Sequence, residues 1–208
     1  MNKKQKQGVL MVLVGLCMVF AAMFLHLTQE RQDAQAGENA AVLLRQLELS
    51  RMSVPAAPEM ETQEETPAET VPAESLLPDM PEKEYLGYAM IGTLRIPAVG
   101  IELPILRDWS YKLLNVAPCR YTGSAAEGNM ILMGHNYRSH FTPLHQTAIG
   151  DEVVFEDVNG RVYRYQVAQI TYLHKTQGEE LPSSYPLTLF TCTKGGQKRI
   201  IVRCSAAK

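Results

Sequence analysis

The feature that most constrains this chain is residues 8–25, GVLMVLVGLCMVFAAMFL, eighteen in a row without a charge or a side-chain amide. As a helix rising 1.5 Å per residue, the run nearly crosses a bilayer core, which takes about 20 residues. Lys3, Lys4 and Lys6 precede it and only Arg31 follows closely. The positive-inside bias therefore places the N-terminus in the cytoplasm and everything after residue 27 outside. A cleaved signal peptide is the rival, with Ala34-Gln35-Ala36 as its cleavage site. The run exceeds the roughly 7–15 residues of a signal-peptide core, and the alanines lie far past its end, which favours an uncleaved anchor over residues 8–27. A buried core helix is disfavoured because no other segment is equally apolar.

After the anchor, residues 28–50 offer Leu43, Leu44 and Leu47 at helix-like spacing, a short amphipathic stalk at best. Residues 52–82 then carry eight acidic residues, six prolines and no Lys or Arg. Such a stretch buries too little apolar surface to offset its chain entropy, and its like charges repel, so it is expected to be a disordered, extended spacer. The expected organisation is a cytoplasmic tail over 1–7, the anchor over 8–27, stalk and acidic linker over 28–83, and one folded domain over 84–208. That domain holds thirteen Lys and Arg against ten Asp and Glu. The whole chain carries a net charge of −2, without the basic excess of a nucleic-acid binder.

Within the domain, β-type runs recur between turn signals at 90–96, 101–106, 129–135, 151–156, 161–170, 187–193 and 199–204. Asn159-Gly160 is a strong hairpin signal joining two of them. Residues 109–116 suit a short helix capped by Asp108, and 141–146 a single turn. Seven or more short strands with little helix predict an all-β fold, a closed or nearly closed antiparallel barrel of seven to eight strands. The connections are too short for crossover helices, which argues against parallel pairing through βαβ units.

The last two strands carry the chemistry. With Gly195-Gly196 as the turn, counting outward sets Cys192 opposite Arg199, their Cβ atoms about 5 Å apart on one face. A free cysteine alone is most often a buried small hydrophobe. A guanidinium beside it favours a working thiol, because Arg is not readily buried against an inert one. Cys17 lies in the anchor, Cys119 has no obvious partner, and Cys204 falls on the other face too far along the strand to bond Cys192. A thiol nucleophile needs a base or a cation to hold it as thiolate. His135 ends the apolar run 129–134 where a strand leaves the core, a natural place for that base, whereas His140, His145 and His174 read as solvated loop histidines. Their spacing makes no metal-ligand pattern, so no metal is expected.

These residues are similar to the active-site motifs of the sortases. Thr188-Leu189-Phe190-Thr191-Cys192 resembles the family's Thr-Leu-x-Thr-Cys signature. The Arg opening the next strand and Gly134-His135-Asn136 after an apolar strand match its other two elements, and Gly92-Thr93-Leu94-Arg95-Ile96-Pro97 resembles its first barrel strand. The resemblance spans about residues 86–204. It implies a barrel tethered outside a Gram-positive cell membrane, acting as a cysteine transpeptidase without metal or organic cofactor. Cys192 would attack a sorting signal of the Leu-Pro-x-Thr-Gly kind, His135 would serve as acid and then base, and Arg199 would stabilise the developing oxyanion. Implied partners are surface proteins bearing that signal and an amine acceptor from a cell-wall precursor or a pilin. Asn136, Thr191, Leu181 and Pro182 are the candidate substrate-binding residues. The tight Cys-to-Arg interval, and the lack of a second apolar segment after residue 204, point towards class B or class D. The rivals are another exported cysteine peptidase or transpeptidase, or a non-catalytic tethered barrel with Cys192 merely packed.

Overall fold

The structure, a computed structural model, describes residues 3–52 and 80–207. The acidic spacer lies almost wholly outside the described residues. One helix, α1 (Lys3–Met52), precedes the barrel. It is long and apolar enough to cross a membrane, and the protein buries none of its apolar stretch.

Nine strands follow: β1 (Lys83–Tyr85), β2 (Tyr88–Ile96), β3 (Ile101–Leu106), β4 (Cys119–Thr122), β5 (Met130–Met133), β6 (Glu152–Asp157), β7 (Val162–His174), β8 (Leu187–Cys192) and β9 (Lys198–Ala206). They form one sheet in the order β1-β2-β3-β4-β5-β8-β9-β7-β6, and β2 pairs with β6 to close β2–β9 into an eight-stranded barrel. The expected all-β barrel of seven to eight strands is therefore present. Its pairing is mixed rather than antiparallel throughout, since β3 meets β4 and β5 meets β8 in parallel. No crossover helix is needed. The chain between β5 and β8 makes an excursion through β6 and β7 on the far side of the barrel and returns.

Period-two alternation sorts the strand side chains into two sets. Leu94, Leu132, Phe155, Val167, Leu189 and Val202 fill the barrel interior with other apolar residues. On β8 and β9, Phe190 and Ile201 point outward instead and pack with Ile131, Leu173 and Leu181. At the Asn159-Gly160 hairpin, the Asp157 carboxylate accepts from the backbone N–H groups of Asn159 and Arg161 at 2.9 Å. Gly160 takes φ 85°, which a side chain would resist. The short helix α2 (Tyr111–Leu114) is capped by Ser110, whose hydroxyl accepts from Leu113 N–H at 3.1 Å. The expected cap Asp108 lies too early, because the helical turn starts later than apolar spacing suggests.

The stalk expectation needs the largest revision. α1 continues without a break to Met52 and lies against the barrel. Ala36, Ala40, Leu43 and Leu47 are all buried, and the last two join Tyr85, Met90, Leu106 and Leu114 in a second apolar cluster. Spacings of four, three and four residues put them on one face of the helix. Each buried leucine contributes roughly 2 kcal/mol to the docking.

Candidate active site

Cys192 ends β8 and is directly paired with Arg199 of β9. The turn between them is fixed by Gly196 N–H donating to the Thr193 carbonyl at 2.9 Å and Thr193 N–H to the Lys198 carbonyl at 2.8 Å. Gly195 and Gly196 both take positive φ, so this tight hairpin requires glycine and its register follows from it. Cys192 is exposed. The Cys119 and Cys204 thiols are buried, and burial pushes each up to about 12, so both stay protonated and inert at neutral pH. Among the described residues outside the apolar stretch, Cys192 is thus the one cysteine open to solvent.

The parallel β5–β8 ladder brings the histidine alongside. Its last pair is Met133 with Phe190, and Gly134 N–H still donates to the Phe190 carbonyl at 3.2 Å. Two residues beyond that pair stand His135, in the loop that leaves β5, and Cys192, the last residue of β8. His135 is half-buried, and burial holds its imidazole below the usual histidine range. Its ring lies 4.8 Å from that of Tyr137, and the His135 carbonyl accepts from Phe141 N–H at 3.2 Å, which closes the following loop.

Gly134 is a glycine for lack of room: a Cβ there would stand 2.7 Å from two ring atoms of Phe141, which is fully buried. Gly134→Ala is expected to cost about 1–3 kcal/mol by overpacking and to move the His135 loop, lowering activity more than the thermal midpoint would suggest. Parallel measurement of both quantities checks this.

The Arg199 guanidinium lies 5.5 Å from the centroid of the Phe190 ring, on the outward face that also carries Cys192. The β7–β8 connection passes over that face. A Cβ on Gly178 would lie 3.9 Å from Arg199 Nη1, and the Glu180 carbonyl accepts from Arg203 Nη2 at 2.7 Å. Tyr121 extends the apolar floor, edge-on to Phe190 at 5.5 Å, with Trp109 5.6 Å beyond it.

The structure brings some of the candidate binding residues to this face and leaves others away. Leu181 is fully buried in the outward cluster beside Phe190, and Pro182 is exposed next to it. Asn136 lines a groove at the mouth, while its side-chain oxygen accepts from the Thr142 hydroxyl at 2.9 Å and so braces the loop. Thr191 points the other way. It is buried, and alternation turns it into the barrel while Cys192 faces out.

His140 also departs from expectation. It is 1% exposed rather than solvated, because α1 covers it close to Ala36, and neither ring nitrogen completes a hydrogen bond among the described residues. Burial pushes it down to about 4 from an ordinary value near 6.5. A depressed histidine pKa stabilises the fold above the unfolded value, and this contribution drains away as pH falls from about 6.5 towards 4. The loss amounts to something on the order of 3 kcal/mol. Acidification from pH 7 to pH 4.5 is therefore expected to lower the thermal midpoint about 10 °C more in the parent chain than in His140→Leu. Equal drops would remove His140 from the acid response.

With this geometry in view, the family model described as "Sortase domain" matches residues 94–207. The chain belongs to the sortase family. Over 122 residues it is 30% identical to a protein named Sortase A from Bacillus anthracis, covering 54% of this chain and 58% of that relative's length. The sortase C1 crystal structure from Streptococcus agalactiae superposes with a TM-score of 0.51 at 25% identity, over 57% of this chain and 68% of that one. A Clostridium perfringens sortase D5 transpeptidase matches in fold with a TM-score of 0.52 at 19% identity, over 57% and 79%. Since these sortases carry class A, C and D names, the likeness is to the family's common barrel rather than to one class. The sortase match begins at residue 94 and leaves α1 outside it. Sequence reading also missed the contact of α1 with the His135 loop, although the spacing of Ala36, Ala40, Leu43 and Leu47 was a signal that could have revealed it.

Proposed function

We propose that this chain is a membrane-anchored sortase that cleaves a Leu-Pro-x-Thr-Gly-like sorting signal and joins the acyl product to an amine acceptor of the cell wall or a pilin. The observation that carries the reading is the exposed Cys192 thiol paired across a glycine turn with Arg199, with His135 at the end of the neighbouring strand. The Cys192 thiolate attacks the scissile carbonyl carbon and forms a C–S bond, while the carbonyl electrons move onto oxygen. Arg199 donates hydrogen bonds to that oxygen as its charge develops. The C–N bond then breaks as imidazolium His135 protonates the departing amine, leaving a thioester on Cys192. The acceptor amine attacks the thioester, neutral His135 takes its proton, and the C–S bond breaks to release the product.

The lowered His135 pKa bears on both halves. Most His135 is neutral at pH 7, ready as the base for deacylation, and the smaller imidazolium fraction serves acylation. Pro182 and Tyr121 are assigned to the apolar part of the signal and Asn136 to the rim of the mouth, while Leu181, expected to bind substrate, is buried with Phe190 and supports that face from beneath. In this reading residues 1–7 remain in the cytoplasm, 8–27 span the membrane, 28–83 connect the anchor to the barrel, with the α1 face of Ala36, Ala40, Leu43 and Leu47 docked against it, and 84–208 form the catalytic domain outside. The chain spans less than two thirds of its curated relative, so the acceptor and the protein substrates are part of the proposal. Incubating the full chain in detergent with a sorting peptide and hydroxylamine tests the reading. A hydroxamate of the peptide's N-terminal fragment supports it, whereas intact peptide across a panel of sorting sequences sinks it.

A further inference from the structure

Besides its apolar docking, α1 is hydrogen-bonded to the loop that follows His135. Ser139 N–H donates to Asp33 Oδ1 at 3.0 Å. The Ser139 hydroxyl lies 2.7 Å from the same oxygen and 2.9 Å from the Asp33 carbonyl, able to donate to either. Although partial burial raises the Asp33 carboxyl, these bonds, the Arg138 backbone and the Arg138 charge outweigh it and hold the group below the ordinary carboxylate range. One turn further on, a Cβ at Gly37 would stand 2.9 Å from the Ser139 Cβ, so the approach depends on a missing side chain. The loop itself is short and closed, with His140 N–H donating to the Tyr137 carbonyl at 3.0 Å and Phe141 N–H to the His135 carbonyl at 3.2 Å. A shift at Ser139 is therefore felt at His135. α1, the loop after His135 and the turn after Cys192 together line a groove of about 930 Å³, with Asp33, Ser139 and Lys194 among its residues.

We propose that the segment of α1 just outside the membrane is a working part of the sortase site, with Asp33 as a positioning residue that clamps the Ser139 loop and so holds His135 in register with Cys192. The buried Leu43 and Leu47 pack α1 into the second apolar cluster, whereas the polar clamp falls on the loop that leads from His135. Asp33 stands only six residues, about 9 Å of helix, past residue 27, the end of the anchor. The tether and the catalytic loop are thereby mechanically one piece.

The inference rests on the sortase reading for its activity arm and is independent of it for its structural arm. Full-length parent, Asp33→Ala, Asp33→Asn and Gly37→Val are compared in detergent micelles by amide hydrogen exchange over residues 135–142, thermal midpoint, and kcat and KM for peptide transfer. Asp33→Ala is expected to exchange faster in that loop and to lose about tenfold or more in kcat with KM within about twofold, because sub-ångström misplacement of a reacting group acts on the chemical step. Asp33→Asn keeps the oxygen that accepts from Ser139 N–H and is expected to recover kcat to within about threefold of the parent. Gly37→Val, which pushes the helix off the loop, reproduces the Asp33→Ala pattern and carries the test if Asp33→Ala fails to fold. Near-parent kcat in Asp33→Ala, or equal losses in the Ala and Asn variants, overturns the clamp. If the parent itself transfers no peptide, the sortase reading falls and exchange alone decides: unchanged loop protection in Asp33→Ala then overturns the clamp as well.

Discussion

Cys192→Ala is expected to abolish peptide transfer, by at least about 10⁴-fold, while leaving the thermal midpoint almost unchanged. The two halves of this result have separate causes. Removing a nucleophile deletes the only route to the thioester, and in other enzymes such losses reach about 10⁶. Removing an exposed sulfur from a strand end disturbs little packing, so the stability change stays within about 0.5 kcal/mol. The opposite profile is expected of the buried thiols. Cys204→Ala opens space in the barrel core and Cys119→Ala in the cluster under α1, so each costs stability before it costs chemistry. Turnover and melting of the three variants, measured together, separate a working thiol from a packed one. Full activity in Cys192→Ala would return this cysteine to the role of a filler.

Arg199 gives the second large effect. Arg199→Ala is expected to slow transfer about 10²–10³-fold, the loss seen when one donor to a developing oxyanion is removed. Arg199→Lys is expected to recover only a small part of it, since an ammonium keeps the charge but not the planar fork of donors. Folding should barely notice either change. Arg199 is only partly covered, and its cation–π contact with Phe190 contributes about 0.5–1 kcal/mol. A lysine variant as fast as the parent would reduce Arg199 to a general field effect, and an alanine variant as fast would remove it from the reaction.

The Cys192–Arg199 hairpin was legible because two glycines in sequence dictate a tight turn, and a tight turn dictates register. Cys192 and Arg199 could be paired by counting, and they are paired. His135 was legible as the residue where an apolar run gives way to polar loop. Other features had no comparable signal. Strand β4 is only four residues, held to β3 by a single pair, Leu106 with Cys119, so no run of β-formers marks it. The parallel β5–β8 pairing joins segments far apart in the chain, and local patterning does not encode which distant strand returns beside which. His140 looked like a loop residue because it is one; its burial comes from a helix roughly a hundred positions earlier. Thr191 shares its motif with Cys192, yet strand alternation sends it to the opposite side.

α1 shows most clearly what patterning alone can miss. Its apolar stretch dominates the first fifty residues, and the weaker stripe of Ala36, Ala40, Leu43 and Leu47 is diluted by small side chains. Those small side chains let the helix come close enough for Asp33 to reach Ser139. Acid should loosen this contact from both sides at once. Protonating Asp33 weakens its hold on the Ser139 loop as pH falls through its lowered pKa, and protonating His140 charges a buried ring beneath the same helix.

The central claim is that Cys192 carries the acyl group between donor and acceptor. Intact-mass and peptide mass spectrometry of the full chain, quenched in acid during turnover of a Leu-Pro-x-Thr-Gly peptide, tests it most directly. The account predicts an added mass equal to the peptide's N-terminal fragment, located on the tryptic peptide containing Cys192, discharged by hydroxylamine and absent from Cys192→Ala. Turnover with no adduct on that cysteine, or an adduct that persists on another residue in Cys192→Ala, would contradict it.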